Sequence, residues 1–149
     1  MKKIKNLFYL FFPLLLGTLI GILVNTKGEY SSLIKPPLSP PSILFPIIWT
    51  IIYLLMGISF YLYKKNDNRQ DINITYYIQL AINISWSIIF FTFKLRLLAS
   101  IWIILLDYFV IKLIRLFNIK NKISAKLNYL YLAWILFATY LTIGIYLLN

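Results

Sequence analysis

Five apolar runs of about twenty residues, separated by short polar or basic segments, dominate the chain. At ~1.5 Å rise per residue, a helical run of that length matches a hydrocarbon core of ~30 Å. No water is available in such a core, so each run must satisfy its own peptide groups. An open sheet cannot survive there, and the runs lack the polar alternation of a barrel strand. The expected fold is therefore all-α, a bundle of five transmembrane helices. The spans are placed at 6–25, 42–63, 72–93, 97–117 and 127–148 of one membrane domain covering 1–149.

Composition agrees with this reading. Of the 149 residues, 61% are hydrophobic, against about 45–50% in ordinary soluble domains. Cysteine and histidine are absent, which excludes disulfides, thiolate chemistry and a histidine ligand to metal or haem. No metal and no cofactor are expected. The net charge of +11 comes from basic residues at span ends, so topology explains it better than nucleic acid, which is not an expected partner. Membrane lipid is.

Met1-Lys2-Lys3-Ile4-Lys5 resembles the start of a signal peptide. The apolar run behind it is longer than the usual ~7–15 residues and no small-x-small cleavage site follows, so a retained helix is expected. Gly17 and Gly21 form a GxxxG pair. Close approach of another helix and the ordinary frequency of glycine in spans explain the pair equally well. Lys2, Lys3, Lys5, Lys64, Lys65, Arg69, Lys112, Arg115, Lys120, Lys122 and Lys126 share one side, leaving Lys27, Lys35, Lys94 and Arg96 on the other. By the positive-inside rule the N-terminus is cytoplasmic and the first loop lies outside.

That first loop, residues 26–41, carries Pro36, Pro37, Pro40 and Pro41. Prolines stiffen it and end the preceding helix. It can hold a shape over the bundle or serve only as a spacer. Pro46 falls near the first turn of the second span, where a missing N–H does least harm.

Asp107 is the one acid inside a span. At a cost of at least ~2.5–3.5 kcal/mol for a charge at mid-membrane, it should face the bundle interior or be protonated. Asn83 lies at similar depth and is a candidate hydrogen-bond partner; holding helices together explains such a pair as well as function does. Trp102 fits an interfacial belt, whereas Trp49, Trp86 and Trp134 lie about two turns inside their spans, deeper than a belt requires. Buried aromatics with a few polar groups suit a flat, apolar ligand. There is no Gly-rich phosphate loop, nucleophile-with-base pair or metal cluster. One acid without an inverted repeat is thin support for an ion-coupled transporter.

Four stretches carry a family resemblance. They are Tyr30-x4-Lys35-Pro36-Pro37; Pro40-Pro41 with Phe45-Pro46-x2-Trp49-Thr50-x2-Tyr53-x2-Met56-Gly57; Gln79-Leu80-x2-Asn83-x2-Trp86-Ser87-x2-Phe90-Phe91; and Tyr131-Leu132-Ala133-Trp134-x2-Phe137-Ala138-Thr139-Tyr140-Leu141. The chain resembles a bacterial member of the TspO/MBR family, the translocator proteins and tryptophan-rich sensory proteins once called peripheral benzodiazepine receptors. The resemblance implies a five-helix bundle, often a homodimer, with a pocket under the first loop. It implies a porphyrin such as protoporphyrin IX as ligand, in sensing, sequestration or handling. Light- and oxygen-dependent porphyrin breakdown, with Trp49 and Trp134 as catalytic candidates, and transport of a porphyrin or other small apolar ligand are the alternatives. Carried over by position, Tyr30, Pro36 and Pro37 lie above the pocket. Trp49, Asn83, Trp86, Phe90, Trp134, Phe137 and Ala138 line it, and Asp107 falls where some bacterial members have an acid. Two features depart from the family. Leu130 stands where a proline commonly precedes the Tyr-Leu-Ala-Trp run, and nothing basic follows Lys126, so the sterol pattern of animal members is absent.

Overall fold

The structure, a computed structural model, describes residues 2–149. Met1 and the side chain of Lys2, which figured in the leader and charge readings, lie outside the described residues. The helices are α1 (Lys2–Leu23), α2 (Thr26–Ser32), α3 (Leu44–Asn66), α4 (Gln70–Ser87), α5 (Arg96–Lys120), α6 (Lys122–Leu127) and α7 (Tyr129–Leu148). A π-helical turn, Ile88–Thr92, continues α4. Among the described residues, five segments are long and apolar enough to cross a membrane: α1, α3, α4 with its π turn, α5, and α6 with α7. The described residues contain no strand. Many large apolar side chains, such as Ile22 and Leu147, point outward, as expected where the surroundings are hydrocarbon rather than water.

Local chemistry sets the breaks between these helices. Pro46 is the third residue of α3, where no intrahelical N–H bond is lost. Lys64 and Lys65 occupy its last turn, where cations suit the helix dipole. The π turn allows the successive residues Phe90 and Phe91 both to be buried, and Lys94 at φ +57° then reverses the chain. The last span is interrupted at Asn128, between α6 and α7, although Leu130 replaces the proline. Asn128 makes the break: its amide donates to Ser59 Oγ at 3.0 Å and to the Ser124 carbonyl at 2.8 Å. Ser124 Oγ donates to the Ser59 carbonyl at 2.7 Å, and Asn121 Oδ1 caps α6 through the N–H groups of Ile123 and Ser124. A side-chain network thus supplies the break that a ring would otherwise impose.

The core has two parts. Away from the first loop, Phe60 stacks on Tyr76 with ring centres 3.8 Å apart, and Tyr63, Leu113 and Phe117 fill in around them. Near the loop, Trp86, Phe90, Phe91, Ile103 and Ala138 form a second cluster. Helix α1 sits outside the bundle, with little of its surface buried, and packs mainly on α3. The close approach there is at Gly57, where an added Cβ would run into the backbone carbonyl of Leu10. Gly17 receives the ring of Tyr53, and Gly21 faces open space. The GxxxG pair therefore accommodates one aromatic ring rather than a second helix backbone.

Gly57→Ala should push α1 off α3, because the obstacle is backbone rather than a movable side chain. A loss of about 1–3 kcal/mol is expected, read as a lower unfolding midpoint in detergent, whereas Gly21→Ala should leave the midpoint unchanged.

Candidate ligand-binding site

The first loop is a fastened lid. Its helix α2 is capped by Asn25 Oδ1, which accepts from the Gly28 N–H at 3.1 Å. Glu29 then reaches the turn between α4 and α5, pairing with Lys94 at 2.8 Å and Arg96 at 3.1 Å. Arg96 also donates to the Phe90 carbonyl and lies over the Phe90 ring. The proline segment is tied to α7. Tyr140 donates to the Pro37 carbonyl at 2.7 Å, and Pro36 packs where Gly144 lacks a side chain. Asn149 bonds both the N–H and the carbonyl of Ile34. Within the lid, buried Tyr30 donates to the Pro40 carbonyl at 2.7 Å, and Lys35 donates to the Tyr30 and Leu33 carbonyls. The loop that could have been a spacer holds a definite shape over the bundle.

Beside this lid, between α1, α3 and the end of α4, lies a cavity of about 560 Å³. Phe45, Trp49 and Tyr53 form its α3 wall, and spacing of four residues puts all three on one helix face. Trp49 stacks on Tyr53 at 5.5 Å. Leu14, Thr18 and Gly21 face them from α1, and Trp86 and Phe91 close the α4 side. Among the described residues, Lys27 is the one charged residue on the wall. Trp86 is buried, and its Nε1–H has no protein partner.

Behind Tyr53 runs a buried polar chain. Tyr53 donates to Asn83 Oδ1 at 2.6 Å, Asn83 Nδ2 donates to Tyr131 Oη at 2.7 Å, and Tyr131 donates to Gln79 Oε1 at 2.8 Å. These bonds join α3, α4 and α7 through the middle of the bundle. Each has a hydrocarbon interior as its alternative, and such bonds are worth about 0.6–2 kcal/mol in membranes.

The residues singled out from the sequence occupy several layers. Trp49 and Trp86 line the cavity. Tyr30, Pro36 and Pro37 belong to the lid. Asn83 is one layer down, reaching the cavity through Tyr53. Trp134 stands behind the wall, edge-on to Trp49 at 6.5 Å and to Phe45 at 5.8 Å, with Phe137 against it. Ala138 is in the core near the lid, and Phe90 stacks on Trp86 at 5.4 Å. Asp107 is not on the cavity wall. It does not pair with Asn83, because it faces α7, where Thr139 Oγ1 lies 2.7 Å from Oδ2. Trp102 donates across to Ser85 at 2.8 Å. Sequence reasoning missed Phe45, Tyr53 and the α1 wall as cavity residues. The four-residue spacing of Phe45, Trp49 and Tyr53 was the available signal.

Fold and site together define a multi-pass integral membrane protein with an aromatic-walled cavity beside the fastened first loop. The TspO/MBR family pattern matches residues 9–148. The tryptophan-rich protein TspO of Archaeoglobus fulgidus is 40% identical over 127 residues, 84% of this chain and 82% of its own. The protein of the same name from Chlorobaculum tepidum is 34% identical, over 80% and 78%. A translocator protein homolog of Schizosaccharomyces pombe is 31% identical, over 92% and 87%. This chain belongs to the TspO/MBR family.

Two outcomes follow from the geometry. Asn83→Leu strands the Tyr53 hydroxyl and removes the donor to Tyr131, which keeps its bond to Gln79, and should cost about 1–3 kcal/mol in detergent unfolding. The hydrogen bond and charge of Lys94, with those of Arg96, hold the Glu29 carboxyl below its usual range. The latch is therefore intact at neutral pH and is lost as the pH falls through that depressed value. Amide exchange across 26–32, corrected for its intrinsic pH dependence, should quicken as the pH falls below the ordinary glutamate range, and in Glu29→Gln already at pH 7.

Proposed function

We propose that this protein binds a tetrapyrrole, a porphyrin such as protoporphyrin IX, in the cavity beside the lid, and so senses, sequesters or handles porphyrins. The observation that carries the reading is the wall of Phe45, Trp49, Tyr53, Trp86 and Phe91 around about 560 Å³. That volume lies within the ~300–1,000 Å³ of small-molecule sites, which are mostly apolar with a few placed polar groups. Lys27 and the Ser87 hydroxyl are donors on the wall, while Thr18 and Thr50, which donate to the Leu14 and Pro46 carbonyls, offer acceptor lone pairs. The family resemblance supports the same ligand.

The orientation proposed from the charge asymmetry puts the N-terminus in the cytoplasm and the lid outside. A homodimer in the bilayer is part of the proposal, supported by the resemblance. The edge contact between Trp49 and Trp134 favours a second reading, breakdown of the bound porphyrin under light and oxygen with an indole as radical relay.

Titration with protoporphyrin IX in the dark should quench tryptophan fluorescence saturably. Trp49→Phe should weaken binding severalfold, in keeping with about 0.5–1.5 kcal/mol for an aromatic contact. Trp134→Phe, one layer back, should weaken it less, and Asp107→Asn should leave it unchanged. Absence of saturable quenching overturns the binding reading. For breakdown, loss of porphyrin absorbance under light should be slower in both tryptophan variants; loss at the wild-type rate by variants that still bind rejects the relay.

A further inference from the structure

Four cations lie at the lid end of the bundle, and the protein itself engages three. Lys94 and Arg96 hold Glu29. Lys35 is committed to the carbonyls of Tyr30 and Leu33. Lys27 is the fourth. Among the described residues it has neither an ion pair nor a side-chain hydrogen bond, and it is the one charged residue on the cavity wall. The nearest acid in sequence, Glu29, is already neutralised twice over.

From this we infer that Lys27 makes the cavity selective for an amphipathic anion: a ligand with a flat apolar body and a carboxylate at its edge. The inference rests on the binding reading above and goes past it by assigning the residue that reads charge. The body lies against Trp49, Tyr53 and Trp86, and the carboxylate meets the ammonium group at the lid. Asn25 and Gly28 keep Lys27 in place, since the Asn25 side chain that caps α2 fills the space a Cβ at Gly28 would need. Lys27 is exposed, so water and salt screen the contact. Its contribution is a discrimination of about two- to fivefold rather than the whole affinity.

The experiment compares protoporphyrin IX with its dimethyl ester, which keeps the ring and removes both negative charges. Each is titrated into the full-length protein in detergent, with tryptophan quenching as the readout. At low ionic strength the acid should bind about two- to fivefold more tightly than the ester, and added salt should shrink that ratio. Lys27→Gln should bring the ratio to that of the screened wild type, and Lys27→Arg should keep it. Comparing ratios between variants removes the difference in bulk and solubility between acid and ester. Equal affinities in the wild type, or a preference that survives Lys27→Gln, overturns the role of Lys27 and leaves the binding reading standing. Failure of both compounds to bind overturns both.

Discussion

A peptide group in hydrocarbon has only the protein to bond with, and nearly everything else in this structure depends on that constraint. It forces the five long segments to be helices and confines irregular backbone to the ends. It also changes what holds the helices together. Lipid tails are as apolar as leucine, so burying apolar surface gives little drive, and association relies on close packing and interhelical hydrogen bonds. The bundle shows both. Gly57 brings α3 against the backbone of α1, and Phe60 lies flat on Tyr76. The Tyr53–Asn83–Tyr131–Gln79 chain ties α3, α4 and α7 at the centre.

The same constraint shapes the site. A cavity can persist where α1, held chiefly by α3, stands away from the rest of the bundle. Its wall is not separate from the scaffold: Tyr53 is at once cavity wall, filler of the notch at Gly17 and first member of the central polar chain. The lid is fixed from two directions, by ion pairs on the α4–α5 turn and by hydrogen bonds on α7. These fastenings differ in kind. The ion pairs of half-buried Glu29 respond to pH and salt, while the neutral contacts of Tyr140 and Asn149 do not. The lid therefore has a side that chemistry can release and a side that stays put.

Much of the fold was legible in the residues. Hydrophobic run length set the number of helices, and the observed spans match the expected ones within a few residues at most ends. The interruption of the last span at Asn128 was not legible. Leu130 removed the proline signal, and the replacement depends on Asn128, Ser124 and Ser59, which are far apart in sequence and meet only after packing. Likewise Asp107 and Asn83 share a depth, but depth says nothing about azimuth, and their helices turn them toward different neighbours.

The sequence by itself determined the membrane setting, the helical class, the stiff proline loop and the family, because these follow from run length, residue type and local spacing. Only the tertiary structure decided which aromatics face the cavity and which stand behind it. It also decided that Glu29 engages two of the four lid-end cations while Lys27 remains on the cavity wall. Those outcomes depend on the rotation of each helix about its own axis and on contacts between distant segments, such as the 67-residue separation bridged by Arg96 and Glu29. Local propensity carries no information about either.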